Sequence, residues 1–392
     1  MPELDEQGLL SGRATPEGTA RFAARFPQLP GHFRCPDRLF LSSIGLGLRQ
    51  GEPGGIDDLL YRSAVARCLE LGVNVFNTAL SDRMQTSERA LGVALSRAFR
   101  EGSVARDEIV VVSKGGALVP NPDRIRGYGD AQHDLLRTYV DTGLVDLERV
   151  VNGHSMEPAF LRDQIERSRR NLRLSCIDLY LLQEPELHLR AQGATAFWAK
   201  LGDALRSLED AVREGVIGAY GLSSWDGFLL PHSDRGHLSI VDLFEIALDV
   251  GHGDHHLRAI QMPYGLASGE GAASASQLGP DGRTAALLET LQETGTVVMA
   301  SAPLFGGKVL GHLPDFVRDA FPEARSDAQR AIQFARSTAN VSCVVVGMRE
   351  LEHVEENLAL AQHPPCDPSL PAGLFRAAQE QALRKADKVG AP

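Results

Sequence analysis

Phe76-Asn77-Thr78-Ala79-Leu80-Ser81-Asp82-Arg83-Met84-Gln85-Thr86-Ser87-Glu88-Arg89 is the stretch on which the reading of this chain turns. Before it, Val73-Asn74-Val75-Phe76 is a short apolar run of β type, and after it Thr86 to Phe99 has helical spacing. Ser87 and Glu88 suit the first turn of a helix, where a carboxylate opposes the positive end of the dipole. The segment is therefore a strand, a polar loop carrying Asn77 and Asp82, and a helix.

The same alternation recurs in both directions. Apolar runs at 41–47, 73–76, 109–113, 176–182, 217–222, 260–262, 296–300 and 341–346 alternate with helical patterns at 57–71, 86–99, 158–172, 197–212, 241–248, 284–291, 327–334 and 351–361. Residues 115–155 are less regular. β units separated by helices in this number predict a single (β/α)8 barrel, a TIM barrel of α/β class. An open doubly wound sheet would normally show a glycine-rich phosphate turn after its first strand. Gly45-x-Gly47 followed by Gln50-Gly51-Glu52-Pro53-Gly54-Gly55 has the glycines without that spacing. The expected organisation is an N-terminal extension at 1–38, the barrel at 39–365 and a C-terminal extension at 366–392.

The chain has 392 residues, 43% hydrophobic and 23% charged, with a net charge of −11. An acidic surface argues against nucleic acid and anionic membrane as partners and leaves a small-molecule substrate. No apolar run is long enough to span a bilayer, and MPELDEQGLLSG is no secretory signal. Cys35, Cys68, Cys176, Cys343 and Cys366 are few, odd in number and never in a Cys-x-x-Cys arrangement, which points to a reducing cytoplasm.

In such a barrel, function gathers at the carboxyl ends of the strands. Those positions hold Asn77 with Asp82, Lys114, Gln183 with Glu184, Ser223 with Ser224, Gln261, the 301–308 loop, and Gly347 with Met348. Lys114 closes a Val/Ile run, where a lysine is costly unless paired or solvated. It is either a solvated strand-end residue or a charge that tunes a proton donor or holds an anion.

The loop at 76–89 resembles the segment of the aldo/keto reductases in which a strand ends in Asp-Thr-Ala, a Tyr follows, and Ser-Glu opens a helix. Val112-Ser113-Lys114 resembles the family's lysine strand, and Asp178-Leu179-Tyr180-Leu181-Leu182-Gln183 its histidine strand. The resemblance implies carbonyl reduction by hydride from a nicotinamide cofactor, NADP or NAD. Three of four catalytic positions depart from it. Asn77 stands for the Asp, Asp82 for the Tyr and Gln183 for the His, while Lys114 is kept.

The cofactor side is closer to the family. Gly221-Leu222-Ser223-Ser224-Trp225 and Gln261 resemble the nicotinamide contacts, and Ala302-Pro303-Leu304-Phe305-Gly306-Gly307-Lys308 the pyrophosphate loop. Gly347-Met348 with Glu356-Asn357 resembles the adenosine end, with His353 where a 2′-phosphate would be gripped and Arg349 near enough to compensate.

An aspartate beside a lysine is expected to have a low pKa and to stay ionised. The altered quartet therefore reads as Asp82 paired with Lys114, a base rather than an acid. Three functions follow: an oxidoreductase with a modified proton relay, a non-redox isomerase or lyase with Asp82 as base, or an inactive nucleotide-binding sensor or partner protein. Tyr128 and His154 are outside proton donors by position, and both read better as surface-loop residues. Trp225 either lines the substrate mouth or caps the core. Gly251-His252-Gly253-Asp254-His255-His256 looks like a metal tract, but adjacent histidines diverge on any regular backbone, and no metal is expected.

Overall fold

Eight short aliphatic runs pair in parallel and close on themselves. They are β1 (Ile44–Gly47), β2 (Val75–Asn77), β3 (Val110–Gly115), β4 (Ile177–Gln183), β5 (Ile217–Ser223), β6 (Leu257–Pro263), β7 (Val297–Ser301) and β8 (Cys343–Gly347). β6 and β7 pair from Val297↔Ala259 to Ser301↔Pro263, and β8 returns to β1 from Val344↔Ile44 to Gly347↔Gly47. The computed structural model describes residues 3–127, 129–279, 281–292 and 294–377. Tyr128 and the part of the C-terminal extension beyond 377 lie outside them.

Side chains alternate across each strand. One parity fills the barrel with Val75, Val110, Val112, Leu179, Leu181, Ala259, Val297, Met299, Cys343 and Val345, a buried cluster separate from the main core. The other parity, including Phe76, Val111, Tyr180, Leu182 and Ile260, packs outward against the helical layer. Strands buried on both faces read as continuous apolar runs, which is why they stand out in the sequence.

The surrounding helices are Gly55–Glu70, Thr86–Glu101, Pro158–Leu172, Ala194–Arg213, Ile240–Val250, Asp327–Ser337 and Leu351–Ala359. The expected helix at 284–291 is reduced to one turn, Leu287–Thr290. Thr284 and Ala285 instead pair antiparallel with Leu278 and Gln277. Thr284 is exposed, so helical spacing there has no core face to enforce it.

The N-terminal segment seals the floor of the barrel. Ala14 and Leu41 complete the interior cluster. The Asp178 carboxylate, near the start of β4, accepts Ala14 N at 2.6 Å, Val111 N at 2.8 Å and an Arg106 guanidinium N–H at 2.9 Å. One buried charge thus ties the N-terminal segment to β3 and β4. Asp178→Ala leaves Arg106 buried without its carboxylate, and we expect a loss of about 3–5 kcal/mol in urea unfolding. A change below about 1 kcal/mol would show that the floor closes without this bracket.

Candidate functional site

The interior parity continues to the carboxyl ends of the strands. Asn77 is in phase with Val75, Lys114 with Val110 and Val112, Gln183 with Leu179 and Leu181, and Gln261 with Ala259. An apolar plug therefore carries a polar layer on top. Lys114, 6% exposed, donates to Asn77 Oδ1 at 2.5 Å and to the Thr78 carbonyl at 2.8 Å. The Asn77 amide in turn donates to Gln261 Oε1 at 2.8 Å, with Met299 Sδ at 3.8 Å. An ammonium has three donors, so this cradle leaves one for the cavity. Gln183 Oε1 accepts from Ser81 Oγ at 3.3 Å.

The expected contact between Asp82 and Lys114 is not made. Among the described residues no carboxylate reaches the ammonium at ion-pair distance, and its partners are both neutral. Asp82 lines the same cavity and is 8% exposed. Its pKa is raised rather than lowered, because burial outweighs the charges of Lys114 and Arg49. Burial likewise draws Lys114 down to about 8, against the support of Asp82.

Asp82 owes its position to a tight turn. Arg83, Met84 and Gln85 all have positive φ, at 49°, 49° and 72°. Residues other than glycine adopt this conformation at a cost, and only where surroundings impose it. The Arg83 side chain is buried and donates to the Glu52 carbonyl at 2.8 Å and to Asp58 Oδ1 at 2.5 Å, over the Tyr61 ring. The Gln85 amide donates to the Pro120 carbonyl at 2.8 Å.

The cavity is about 830 Å³ and is lined by this cluster, by Ser223, Ser224 and Gln261, by the 301–307 loop, and by Ser326–Ala328, His353, Glu356 and Asn357. Pro303, Leu304, Gly306, Gly307 and Gly347 also line it. Gly306 and Gly307 have φ of 67° and 86°, a conformation that glycine adopts without strain. The Ser224 hydroxyl is committed to Glu186 at 2.9 Å.

Lys308 and Met348 stand elsewhere. The Lys308 ammonium lies 5.5 Å from the centroid of the Phe305 ring, beside a separate cavity with Val309 and His312. Met348 is buried in the core. Arg349 is paired with Asp57 at 2.9 Å and Glu350 at 3.1 Å.

His154 is not at the mouth. It is buried, donates from Nε2 to the Gln183 carbonyl at 2.6 Å, and accepts at Nδ1 from His188 at 3.0 Å. Burial lowers both rings, to about 3 and about 4. Trp225 lines the cavity and is 45% exposed. Within the histidine tract, His255 packs edge-on against Phe244 while His256 pairs with Glu209. Sequence reasoning missed Arg49 and Gln50 on the cavity wall. They follow β1, and the strand-end rule applied to that strand would have found them.

Residues 43–229 match the model of the aldo/keto reductase family. The closed eight-stranded parallel sheet with its helical layer is the (β/α)8 fold. An aldo/keto reductase from Klebsiella pneumoniae in complex with NADP and acetate superposes with a TM-score of 0.58 at 20% identity, covering 89% of this chain and 95% of that one. An aldo-keto reductase from Bacillus halodurans in its holo form gives 0.56 at 19% identity, covering 87% and 95%. The aldose reductase from Schistosoma japonicum gives 0.55 at 19%, covering 88% and 90%. No curated protein sequence matches the chain significantly. These likenesses, all at 20% identity or below, show that the barrel fold is shared.

Two measurements test this geometry. Arg83→Met strands Asp58 and releases the turn, and we expect about 3 kcal/mol less stability in urea unfolding. An unchanged midpoint would mean the turn needs no clamp. Lys114 supplies a pH test. Between about pH 8 and the ordinary lysine value of 10.5, the unfolded chain binds a proton that the folded chain has lost. Stability contributed by this group therefore rises with pH across that window. Lys114→Met removes the rise, so the difference between wild type and variant should grow toward alkaline pH; a flat difference refutes the assignment.

Proposed function

We propose that this protein is a nicotinamide-dinucleotide-dependent oxidoreductase that interconverts a carbonyl and an alcohol, with Asp82 as the proton-transfer group. The observation that carries the reading is the common cavity. It joins a buried carboxyl of raised pKa and a lysine with one donor uncommitted among the described residues to a glycine loop and the polar residues Asp327, His353, Glu356 and Asn357.

The residues fit a dinucleotide. Asn357 Oδ1 is buried at the cavity wall without a hydrogen-bond partner among the described residues, ready to accept from an amine. The backbone of Gly306 and Gly307 suits close approach of phosphate. Gln261 uses its carbonyl oxygen on Asn77, which leaves its NH2 for a carboxamide oxygen. Ser223 lies beside it on β5. The bound dinucleotide would supply or take up the hydride.

The chain's own task is the matching proton. In the reducing direction the Asp82 carboxyl gives its proton to the substrate oxygen and is left as carboxylate. In the oxidising direction the carboxylate takes the proton back. A raised pKa serves both roles, because a general acid or base works best near the operating pH. Lys114 holds the developing negative charge on that oxygen with its third N–H, and Gln183 is placed to hydrogen-bond the substrate.

Turnover of a panel of aldehydes and ketones with reduced dinucleotide, and of the corresponding alcohols with oxidised dinucleotide, tests the reading. Asp82→Asn should lower kcat by about 10²–10⁴-fold. Reduction should fall, and oxidation rise, as pH passes upward through the Asp82 pKa, and both should weaken above about pH 8 as Lys114 loses its proton. Full activity in both Asp82→Asn and Lys114→Ala would place the chemistry elsewhere.

A further inference from the structure

We infer that the carbonyl substrate also carries a carboxylate, and that Arg49 binds it. This rests on the oxidoreductase reading above and names the substrate class of the same cavity.

Arg49 is rooted beside the Lys114 cradle. It is the second residue after β1, and the chain is tied down on both sides of it. Leu48 is buried, its N–H donates to the Asn77 carbonyl at 3.0 Å, and its own carbonyl accepts from Ser87 Oγ at 2.6 Å. The Gln50 carbonyl accepts from the Tyr61 hydroxyl at 2.9 Å. Asn77, which holds Lys114, thus also fixes the backbone from which Arg49 rises. The Arg49 side chain lines the cavity, and its charge acts on both Asp82 and Lys114.

That charge is uncompensated. Two acids that follow it in the chain are committed, Asp57 to Arg349 at 2.9 Å and Asp58 to Arg83 at 2.5 Å. Among the described residues no carboxylate lies at ion-pair distance from Arg49. Lys114 spends two donors on neutral oxygens, and burial favours the neutral form of Asp82. Glu184, at the end of β4, lines the cavity from across the barrel. The charges that act on Lys114 are those of Asp82, Arg49 and Glu88, and Glu184 is not among them.

The reacting end therefore holds two cations with no carboxylate in contact with either. A concave site lined by one sign of charge focuses its field on a ligand of the opposite sign. The guanidinium fork matches a carboxylate through two parallel hydrogen bonds. A carbonyl compound with its oxygen at Lys114 and a carboxylate at Arg49 satisfies both cations at once. A neutral carbonyl compound satisfies one.

Steady-state kinetics of the full-length protein with reduced dinucleotide tests the inference on 3-formylbenzoate, 4-formylbenzoate and 4-oxobutanoate against their carboxamides, which match them in shape and lack the charge. For at least one pair the acid should have a kcat/KM about 10–100-fold higher at low salt, the range that a hydrogen bond to a charged group supplies. The advantage should shrink as salt screens the exposed Arg49. Arg49→Met should remove it through the KM of the acid, with dinucleotide affinity, read by fluorescence titration, as in the wild type. Arg49→Lys, which keeps the charge without the fork, should retain part of it. Because Arg49 lowers the pKa of both Asp82 and Lys114, Arg49→Met should also move the pH profile of the carboxamides upward. Carboxamides turned over as well as the acids, or an acid preference that survives Arg49→Met, overturns the inference and leaves the oxidoreductase reading standing. Weakened dinucleotide binding in Arg49→Met, with equal losses for acids and carboxamides, overturns it too and places Arg49 on the cofactor. Turnover of no carbonyl compound, charged or neutral, removes the inference together with the reading beneath it.

Discussion

The site is organised by a buried ammonium held by neutral oxygens. Taking a charge out of water is expensive unless hydrogen bonds replace the lost hydration. Lys114 receives two, from Asn77 Oδ1 and the Thr78 carbonyl, both at the carboxyl end of β2. An asparagine does something here that an aspartate cannot. Its oxygen accepts from Lys114 while its nitrogen donates to Gln261, which links β3 to β6 across the barrel mouth. The link has a cost, since burial, with no carboxylate in contact to offset it, leaves the lysine with a pKa near 8.

Asp82 complements that cradle from outside it. The residues that clamp Arg83 sit on the helix Gly55–Glu70 and the loop before it, so Asp82 is positioned by neighbours outside the polar cluster. Three successive left-handed residues cannot relax independently, because Arg83 is clamped by Asp58 and Glu52, and Gln85 by Pro120. Strain at a functional loop is tolerated where the surroundings over-determine it. Here the clamp fixes a titratable group at a distance where it senses Lys114 without touching it.

The barrel was legible in the sequence because strands buried on both faces produce apolar runs that no exposed loop imitates. Asn77, Lys114, Gln183 and Gln261 were legible for a related reason: period-two alternation carries them into the barrel axis in phase with the residues beneath. Contacts were not legible. The oxygen that captures Lys114 includes a backbone carbonyl, which has no signature in a sequence. Lys308 was misplaced because the Phe305 ring three residues earlier holds it. Arg349 was misplaced because Asp57, far away in the chain, meets it in space. The turn at 83–85 contains no glycine to announce its positive φ. The one-turn helix at 287–290 shows the converse, in which spacing suggests a helix and burial does not support it.

Burial moves the two ionisable groups of the site toward each other. It raises Asp82 and lowers Lys114, while each charge opposes the shift of the other. A direct salt bridge would have driven them apart, favouring carboxylate and ammonium. Separation without contact leaves burial as the larger influence on both, and Lys114 charged below about pH 8. The family resemblance assigns proton transfer to a phenol, whose ordinary pKa is about 10. On the proposed reading a carboxyl serves that task only if its surroundings bring its pKa up. Burial beside a cation held by Asn77 and Thr78 acts in that direction, so Asn77 and Asp82 belong to one arrangement.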